Sequence, residues 1–195
     1  INGISVTNAG DIYTGHDILG TSLLSGVFVR RSDSLSFRPT AFPKTRVFSI
    51  HTAPNGNVMV GDDGGRIHLS TNGGDTWSVP HSGAGYVIYF RTNSIGEIFC
   101  LSNEKLMIST NYGLTWQLKN AGGRSISNER MGRMYVVKTG GVHWSSDYGS
   151  TWQEITSPGF SFTPNSAWIA ENGYLYITSQ TNGTWLSTDG GTSFT

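Results

Sequence analysis

Few side chains in these 195 residues can titrate, coordinate or stack, and those few are scattered. His16 and Asp17 sit in the run Gly15-His16-Asp17-Ile18-Leu19-Gly20-Thr21-Ser22-Leu23-Leu24-Ser25-Gly26. Asp62 and Asp63 open the turn Asp62-Asp63-Gly64-Gly65, Tyr86 precedes an apolar stretch, and His51, Arg91 and Trp168 stand inside β-rich runs. Aromatic rings flanked by acids and amides suit stacking and hydrogen bonding, the contacts that hold sugar hydroxyls or a partner's surface. His16, Asp17, His51, Asp62, Asp63, Tyr86, Arg91 and Trp168 therefore form the candidate ligand-binding set. In a chain so rich in serine, no nucleophile can be singled out. Cysteine and histidine show no ligand spacing, and the lone acidic turn offers too few fixed oxygens for calcium, so neither metal nor cofactor is expected.

Any such set needs elements to hold it, and repetition identifies them. One phrase returns four times: Ser70-Thr71-Asn72-Gly73-Gly74-Asp75-Thr76-Trp77, Ser109-Thr110-Asn111-Tyr112-Gly113-Leu114-Thr115-Trp116, Ser145-Ser146-Asp147-Tyr148-Gly149-Ser150-Thr151-Trp152 and Ser187-Thr188-Asp189-Gly190-Gly191-Thr192-Ser193-Phe194. A degraded copy, Arg30-Arg31-Ser32-Asp33-Ser34-Leu35-Ser36-Phe37, precedes them. The Asn or Asp accepts hydrogen bonds from turn N–H groups, and the Gly two residues later takes positive φ at little cost. The closing aromatic has apolar surface to bury, so Trp77, Trp116 and Trp152 are expected to be largely buried. Aromatic ends fall at intervals of 40, 39, 36 and 42 residues. Upstream of each phrase a second Gly turn recurs at Gly10, Gly56, Gly96, Gly132 and Gly173 before a short β-rich run, the mark of a hairpin.

The pattern Ser-x-Asp/Asn-x-Gly-x-Thr-Trp resembles the Asp-box, or BNR repeat, of sialidases, sortilin-type receptors and other β-propellers. That resemblance implies an all-β propeller whose boxes join strands c and d of each blade and are structural. Five four-stranded blades are expected, at about 1–40, 41–80, 81–120, 121–156 and 157–195, in one domain over 1–195. Inner strands a are expected at Val47 to Thr52 and Val87 to Thr92, strands c at Ile67 to Leu69, Leu106 to Ile108 and Val142 to Trp144, and strands d from each aromatic. Two readings of closure stand open: a self-contained ring of five blades, or five blades of a larger ring.

Aligning the repeats separates scaffold from novelty. His68 and His143 share a position with Phe28, Met107 and Trp185, which reads as packed and apolar. Cys100 matches Val60, Val136 and Ile177 and reads as a core residue. Five residues before each a–b Gly stand Ser5, His51, Arg91, Ser127 and Trp168, chemically unlike one another and candidates to line a central tunnel. Of the b–c loops, the one at 15–26 is longer than its sisters, so a ligand is expected to touch it and the neighbouring loops around Asp62 and Tyr86.

Composition bounds the function. Gly 26 and 12% aromatic residues with only 13% charged residues describe a turn-rich β-chain, and a formal net charge of zero makes nucleic acid an unexpected partner. No run of 18 apolar residues occurs, so membrane insertion by a helix is not expected. A sialidase-type enzyme would need, by the resemblance, an arginine triad, a Tyr with a Glu partner and an acid; only Arg91 falls inside an inner strand, and Glu129 is the nearest carboxylate. The expected function is thus a non-catalytic binding propeller of a secreted, viral or cell-surface protein, with a glycan or protein surface as partner, as an oligomer or part of a larger assembly. The alternative is a sialidase-like glycoside hydrolase or a fragment of a larger propeller enzyme.

Overall fold

The computed structural model describes residues 3–16, 26–43, 45–119, 122–130, 132–138, 141–155 and 163–195. No helix occurs among them, and the strands form five antiparallel sheets in chain order. The first holds β1 (Gly3–Val6), β2 (Ile12–His16), β3 (Gly26–Arg30) and β4 (Arg38–Pro39). β5 (Val47–Thr52), β6 (Val58–Asp62), β7 (Arg66–Ser70) and β8 (Ser78–Ser82) make the second. The third comprises β9 (Val87–Thr92), β10 (Ile98–Ser102), β11 (Lys105–Ser109) and β12 (Gln117–Leu118). In the fourth, β13 (Ser125–Ile126), β14 (Met134–Lys138), β15 (Gly141–Ser145) and β16 (Gln153–Glu154) line up in order. The fifth has β17 (Pro164–Ile169), β18 (Leu175–Ser179) and β19 (Gly183–Ser187).

Both expected inner strands match β5 and β9 residue for residue, and the three expected c strands lie within β7, β11 and β15. Each outer strand begins one residue after its aromatic, because that aromatic still belongs to the turn. After Phe194 only a reciprocal pair of backbone hydrogen bonds between Leu186 and Thr195, each 2.9 Å, stands for a fourth strand.

Two kinds of turn build every sheet. At the a–b turns Gly10, Gly56, Gly96, Gly132 and Gly173 all take φ between 80° and 89°, the left-handed region that a side chain would disfavour. At the boxes the serine closes a cage. Ser70, Ser109, Ser145 and Ser187 accept the N–H of Gly74, Gly113, Gly149 and Gly191 at 2.7 to 2.8 Å, and each donates its hydroxyl to the box Asn or Asp. These serines are at most 2% exposed, so the serine side of the cage is closed off from water. The Asn or Asp then accepts an N–H from four residues on: Thr76, Thr115, Thr151 and Ser193. The box glycine also lets chain approach chain, since a Cβ on Gly113 would lie 2.7 Å from Met59 Sδ.

In the degraded first copy a different residue closes the turn. Asp11, from the a–b turn, accepts Ser32 N–H at 2.9 Å and Arg31 Nη1 at 2.7 Å, and Arg31 also reaches the Tyr13 hydroxyl and the carbonyl of Gly73.

The chain divides into two compact units, one of Ile1–Phe90, Gly96–Asn103 and Met107–Gln117, the other of Arg91–Ile95, Glu104–Leu106 and Leu118–Thr195. The division falls inside the third repeat. In the first unit one core joins Tyr13, Val27, Val29 and Val58, and a second joins Met59, Leu69, Val87, Ile98 and Cys100. The second unit's core joins Tyr135, Val137, Ile169, Leu175 and Ile177.

The expectation of largely buried box tryptophans needs correction. Trp77, Trp116 and Trp152 are half-buried, and the first two pack against the cores of the first unit. The Trp152 indole N–H is bonded to the Gly149 carbonyl at 3.1 Å, which keeps that ring at the turn.

Candidate functional site

The d–a and b–c loop end of the second repeat and its successor carries a stack of three side chains, all in the first unit. Pairing slips between Val47 and Ser49 on β5, so Phe48 sits at a bulge. A bulged residue is turned out of the regular alternation. Phe48 thereby stacks on Tyr86, ring centroids 4.6 Å apart and planes 22° from parallel, and the Arg46 guanidinium carbon lies 5.1 Å from the Phe48 centroid. Offset stacking and a cation over a ring face each stabilise this arrangement by about 0.5 to 1 kcal/mol. Tyr86 remains 52% exposed, an amphipathic ring held in place but not covered.

Neighbouring loops fix the ring from behind. The Tyr86 carbonyl accepts the Asn103 N–H at 3.2 Å. Asn103 takes φ 47° and Glu104 φ 61°, the consecutive left-handed pair that closes a two-residue hairpin between β10 and β11. Ser49, one residue past the bulge, is buried and donates its hydroxyl to the Val87 carbonyl at 2.7 Å, tying β5 to β9 beneath the stack.

Beside this shelf, Asp62 has a different role from the one expected. Its side chain is fully buried and accepts the backbone N–H groups of Gly64 and Arg66 at 2.9 Å each, Arg66 Nε at 2.6 Å and His68 Nε2 at 2.9 Å. Burial pushes the Asp62 carboxyl up, but bonds from His68 and Arg66 outweigh it and hold the group below the ordinary carboxylate range. Asp62 is thus the organiser of the b–c turn, its side chain closed off from solvent. Asp63, one place on, is exposed. His68, only 2% exposed, lies edge-on to Phe42 with centroids 4.9 Å apart, which agrees with a packed position but adds a hydrogen bond that the repeat comparison did not foresee.

The irregular inner-strand positions sort into two kinds. Ser127 is buried, accepting Tyr135 N–H and donating to the Asn128 carbonyl, and Ser5 shares a 2.8 Å hydrogen bond with Thr52; both are scaffold. His51 is half-buried and stacks on Phe90 at 6.0 Å, Arg91 is half-buried on β9, and Trp168 is 52% exposed on β17 opposite Tyr176. In the first sheet, His16 bonds Thr14 at 3.0 Å and lies edge-on to Phe28, and burial lowers its pKa. Asp17 and the rest of the expected loop contact at 17–25 lie outside the described residues. Thus the structure joins Tyr86 to Phe48 and Arg46, two residues absent from the candidate set. The signal for Phe48 was a large aromatic at a half-exposed place in an otherwise alternating strand, but the bulge that presents it cannot be read from residue types.

A hollow of about 430 Å³ in the first unit is lined by Asp11, Tyr13, Arg31, Asn55 and Asn72, groups already engaged in the turns. Among the described residues no three His, Cys, Asp or Glu side chains converge as metal ligands, and no helix is long and apolar enough to cross a membrane.

No family model and no curated protein matches the sequence. Solved structures do match. Over 99% of this chain and 66% of that one, the fold is similar to "YCF48 bound to D1 peptide" at 15% identity and a TM-score of 0.69. Virginiamycin B lyase from Staphylococcus aureus is similar at 14% identity and a TM-score of 0.72, over 100% of this chain and 68% of that one. A Niastella koreensis GH74 enzyme is similar at 18% identity and a TM-score of 0.69, over 100% of this chain but only 30% of that one. The chain therefore spans about two thirds of the first two and under a third of the last. At these identities the likeness speaks to fold alone, and together with the repeated antiparallel sheets it makes this chain a β-propeller fold.

Proposed function

We propose that this chain is a non-catalytic binding domain that holds its partner on the loop end of the second and third repeats, with Tyr86 as the central contact. The observation that carries the reading is the stack Arg46, Phe48 and Tyr86, a rigid aromatic shelf left half-open beside short polar turns. Rings fixed before binding lose little conformational freedom when a ligand arrives, which favours affinity. Asn103 and Asp63 are exposed on adjoining turns and supply an amide and a carboxylate for hydroxyl or peptide groups. A neutral glycan fits this chemistry best, since the stack offers a face for a pyranose ring and the chain has zero formal net charge. With only 13% charged residues, the composition fits a secreted, cell-surface or virion setting. Support for binding over catalysis comes from Asp62, the buried carboxylate nearest the shelf, whose oxygens are taken up by turn hydrogen bonds.

The test is a glycan panel and a peptide panel read against Tyr86→Ala. The expected result is a loss of at least about tenfold in affinity for the captured glycan, in line with removal of one stacking ring, with no change in melting temperature. Capture of peptides alone moves the ligand class, equal affinity in the variant removes the shelf from the reading, and turnover of a glycoside by the wild type replaces it with the hydrolase reading.

A further inference from the structure

Between the first and second repeats, at the box end of the first unit, lies a buried hydroxyl whose proton is unmatched. Tyr13 stands three residues past its a–b glycine, as Tyr135 does in the fourth sheet. The Tyr135 hydroxyl donates to the carbonyl of Gly190, fourth residue of the next box, at 3.0 Å. In the earlier pair the matching carbonyl, that of Gly73, is taken by Arg31 Nη2 at 2.9 Å, and Arg31 Nη1 donates to the Tyr13 oxygen at 3.1 Å. The Tyr13 hydroxyl thus accepts a bond while its own proton meets no acceptor among the described residues, although Tyr13 is only 1% exposed. Burial pushes the Tyr13 pKa above its ordinary value, so the group stays a donor at neutral pH. A buried donor left in this state marks a place for an incoming acceptor.

That hydroxyl lines the hollow of about 430 Å³, which falls in the range of about 300 to 1,000 Å³ usual for small-ligand sites. The hollow is open where sister repeats carry a ring. In the third repeat the fourth box residue is Tyr112, whose Cε1 lies 3.9 Å from the place of a Cβ on the a–b glycine Gly96, and in the fourth repeat Tyr148 Cζ lies 3.6 Å from that place on Gly132. In the second repeat the same box residue is Gly73, and a Cβ on Gly56 would meet nothing within 4 Å. A side chain at position 73 would come within 2.5 Å of Arg31 Nη2, so the guanidinium and a ring exclude each other. The rim offers both senses of hydrogen bond. Asn8 donates through Nδ2 to the Pro54 carbonyl at 3.2 Å, which leaves its Oδ1 to accept, and Asn55 accepts the Asn57 N–H through Oδ1 at 3.1 Å, which leaves its Nδ2 to donate. Pairing of Arg31 with Asp11 at 2.7 Å cancels the charge. A neutral ring bearing hydroxyls, each both donor and acceptor, meets these requirements.

We propose that this hollow is a second binding site, which takes one pyranose ring of a neutral glycan with a sugar oxygen accepting the Tyr13 proton. It is separate from the Tyr86 shelf and does not depend on it. The probes are the methyl glycosides of glucose, mannose, galactose and N-acetylglucosamine, titrated into the isotopically labelled 195-residue chain with amide chemical shifts as the readout. The expected result is a set of shifts clustered at Asn8, Asn55 and Gly73 that saturates with at least one glycoside at about 1 to 10 mM, the strength of one small ring in an open site. Tyr13→Phe, which removes only the hydroxyl, is expected to weaken that binding about tenfold. Thr71→Trp, which places bulk at the rim and leaves the Tyr13 and Arg31 contacts in place, is expected to abolish it, and Tyr86→Ala to leave it unchanged. The proposal is overturned if no glycoside saturates these shifts by about 100 mM, or if binding is equal in wild type, Tyr13→Phe and Thr71→Trp. Shifts confined to the surroundings of Tyr86 and lost in Tyr86→Ala also overturn it, while upholding the shelf.

Discussion

The two ends of each sheet obey different rules. At the box end, four turns repeat one hydrogen-bond cage with distances that agree within 0.1 Å for the Ser to Gly contact. At the opposite end of the sheets, the b–c turns of the second and third sheets are closed differently: Asp62 gathers four donors in the second, while a left-handed Asn103 and Glu104 pair closes the third. The box turns are built alike, and the proposed contact of Tyr86 with a partner lies at the end where the turns differ in chemistry.

The comparison can be broken most severely at Asp62. Asp62→Ala removes a buried acceptor and leaves His68 and two backbone N–H groups facing no partner, so a loss of about 3 to 5 kcal/mol in urea unfolding is expected. A loss below about 1 kcal/mol would mean that the turn is held by its glycines, and the Asp62 cage would lose its standing as structure.

Next in size is Trp116→Ala. Full core truncations of this kind cost about 3 to 5 kcal/mol, and half-burial reduces the expected cost to about 2 to 3 kcal/mol. Ser109→Ala follows, since it leaves the Gly113 N–H buried without its acceptor; about 1 to 3 kcal/mol is expected, and Ser187→Ala should match it if the boxes are equivalent.

A pH series separates boxes that look alike. Two boxes use Asn72 and Asn111, which do not titrate, and two use acids. Thr151, through its backbone N–H and then its hydroxyl, with Ser145 assisting, pulls Asp147 down to about 2, and Ser193 with Ser187 does the same for Asp189. A carboxyl lowered in the folded state from its ordinary value of 3.8 contributes stability above that value and loses it as pH falls through about 2. Thermal stability should therefore fall from about pH 4 toward pH 2, and Asp147→Asn combined with Asp189→Asn should remove part of that slope. An unchanged slope would place the acid sensitivity at Asp62 and Asp11. Smallest of all is the stability effect of Tyr86→Ala, expected within about 0.5 kcal/mol of wild type in the same unfolding assay, as for a surface ring outside the cores.

Much of the scaffold was readable because it is local. Ser, Asn or Asp, Gly and an aromatic at fixed spacing specify one turn, and the turn sets the register of the strands on either side. Five such units, with inner strands at 47–52 and 87–92, follow from propensity and periodicity alone. Even so, the serine's part was hidden: its type recurs, but only the folded turn shows that its oxygen bridges glycine and acid.

The rest depended on which repeat packs on which. Asp62 and Asp63 are adjacent and identical in type, yet one is fully buried and the other exposed, because β6 ends at Asp62 and the turn folds back over it. Phe48 meets Tyr86 across 38 positions of chain through a bulge that residue types do not announce. His16 and His51, chosen for their chemistry, are absorbed into contacts with Phe28 and Phe90. Amino-acid types and spacing by themselves determined the repeat, its turns and the all-β class, since each rests on interactions within a dozen residues. Tertiary structure alone decided which acid is buried and which ring is presented, since burial is a property of neighbours distant in the chain.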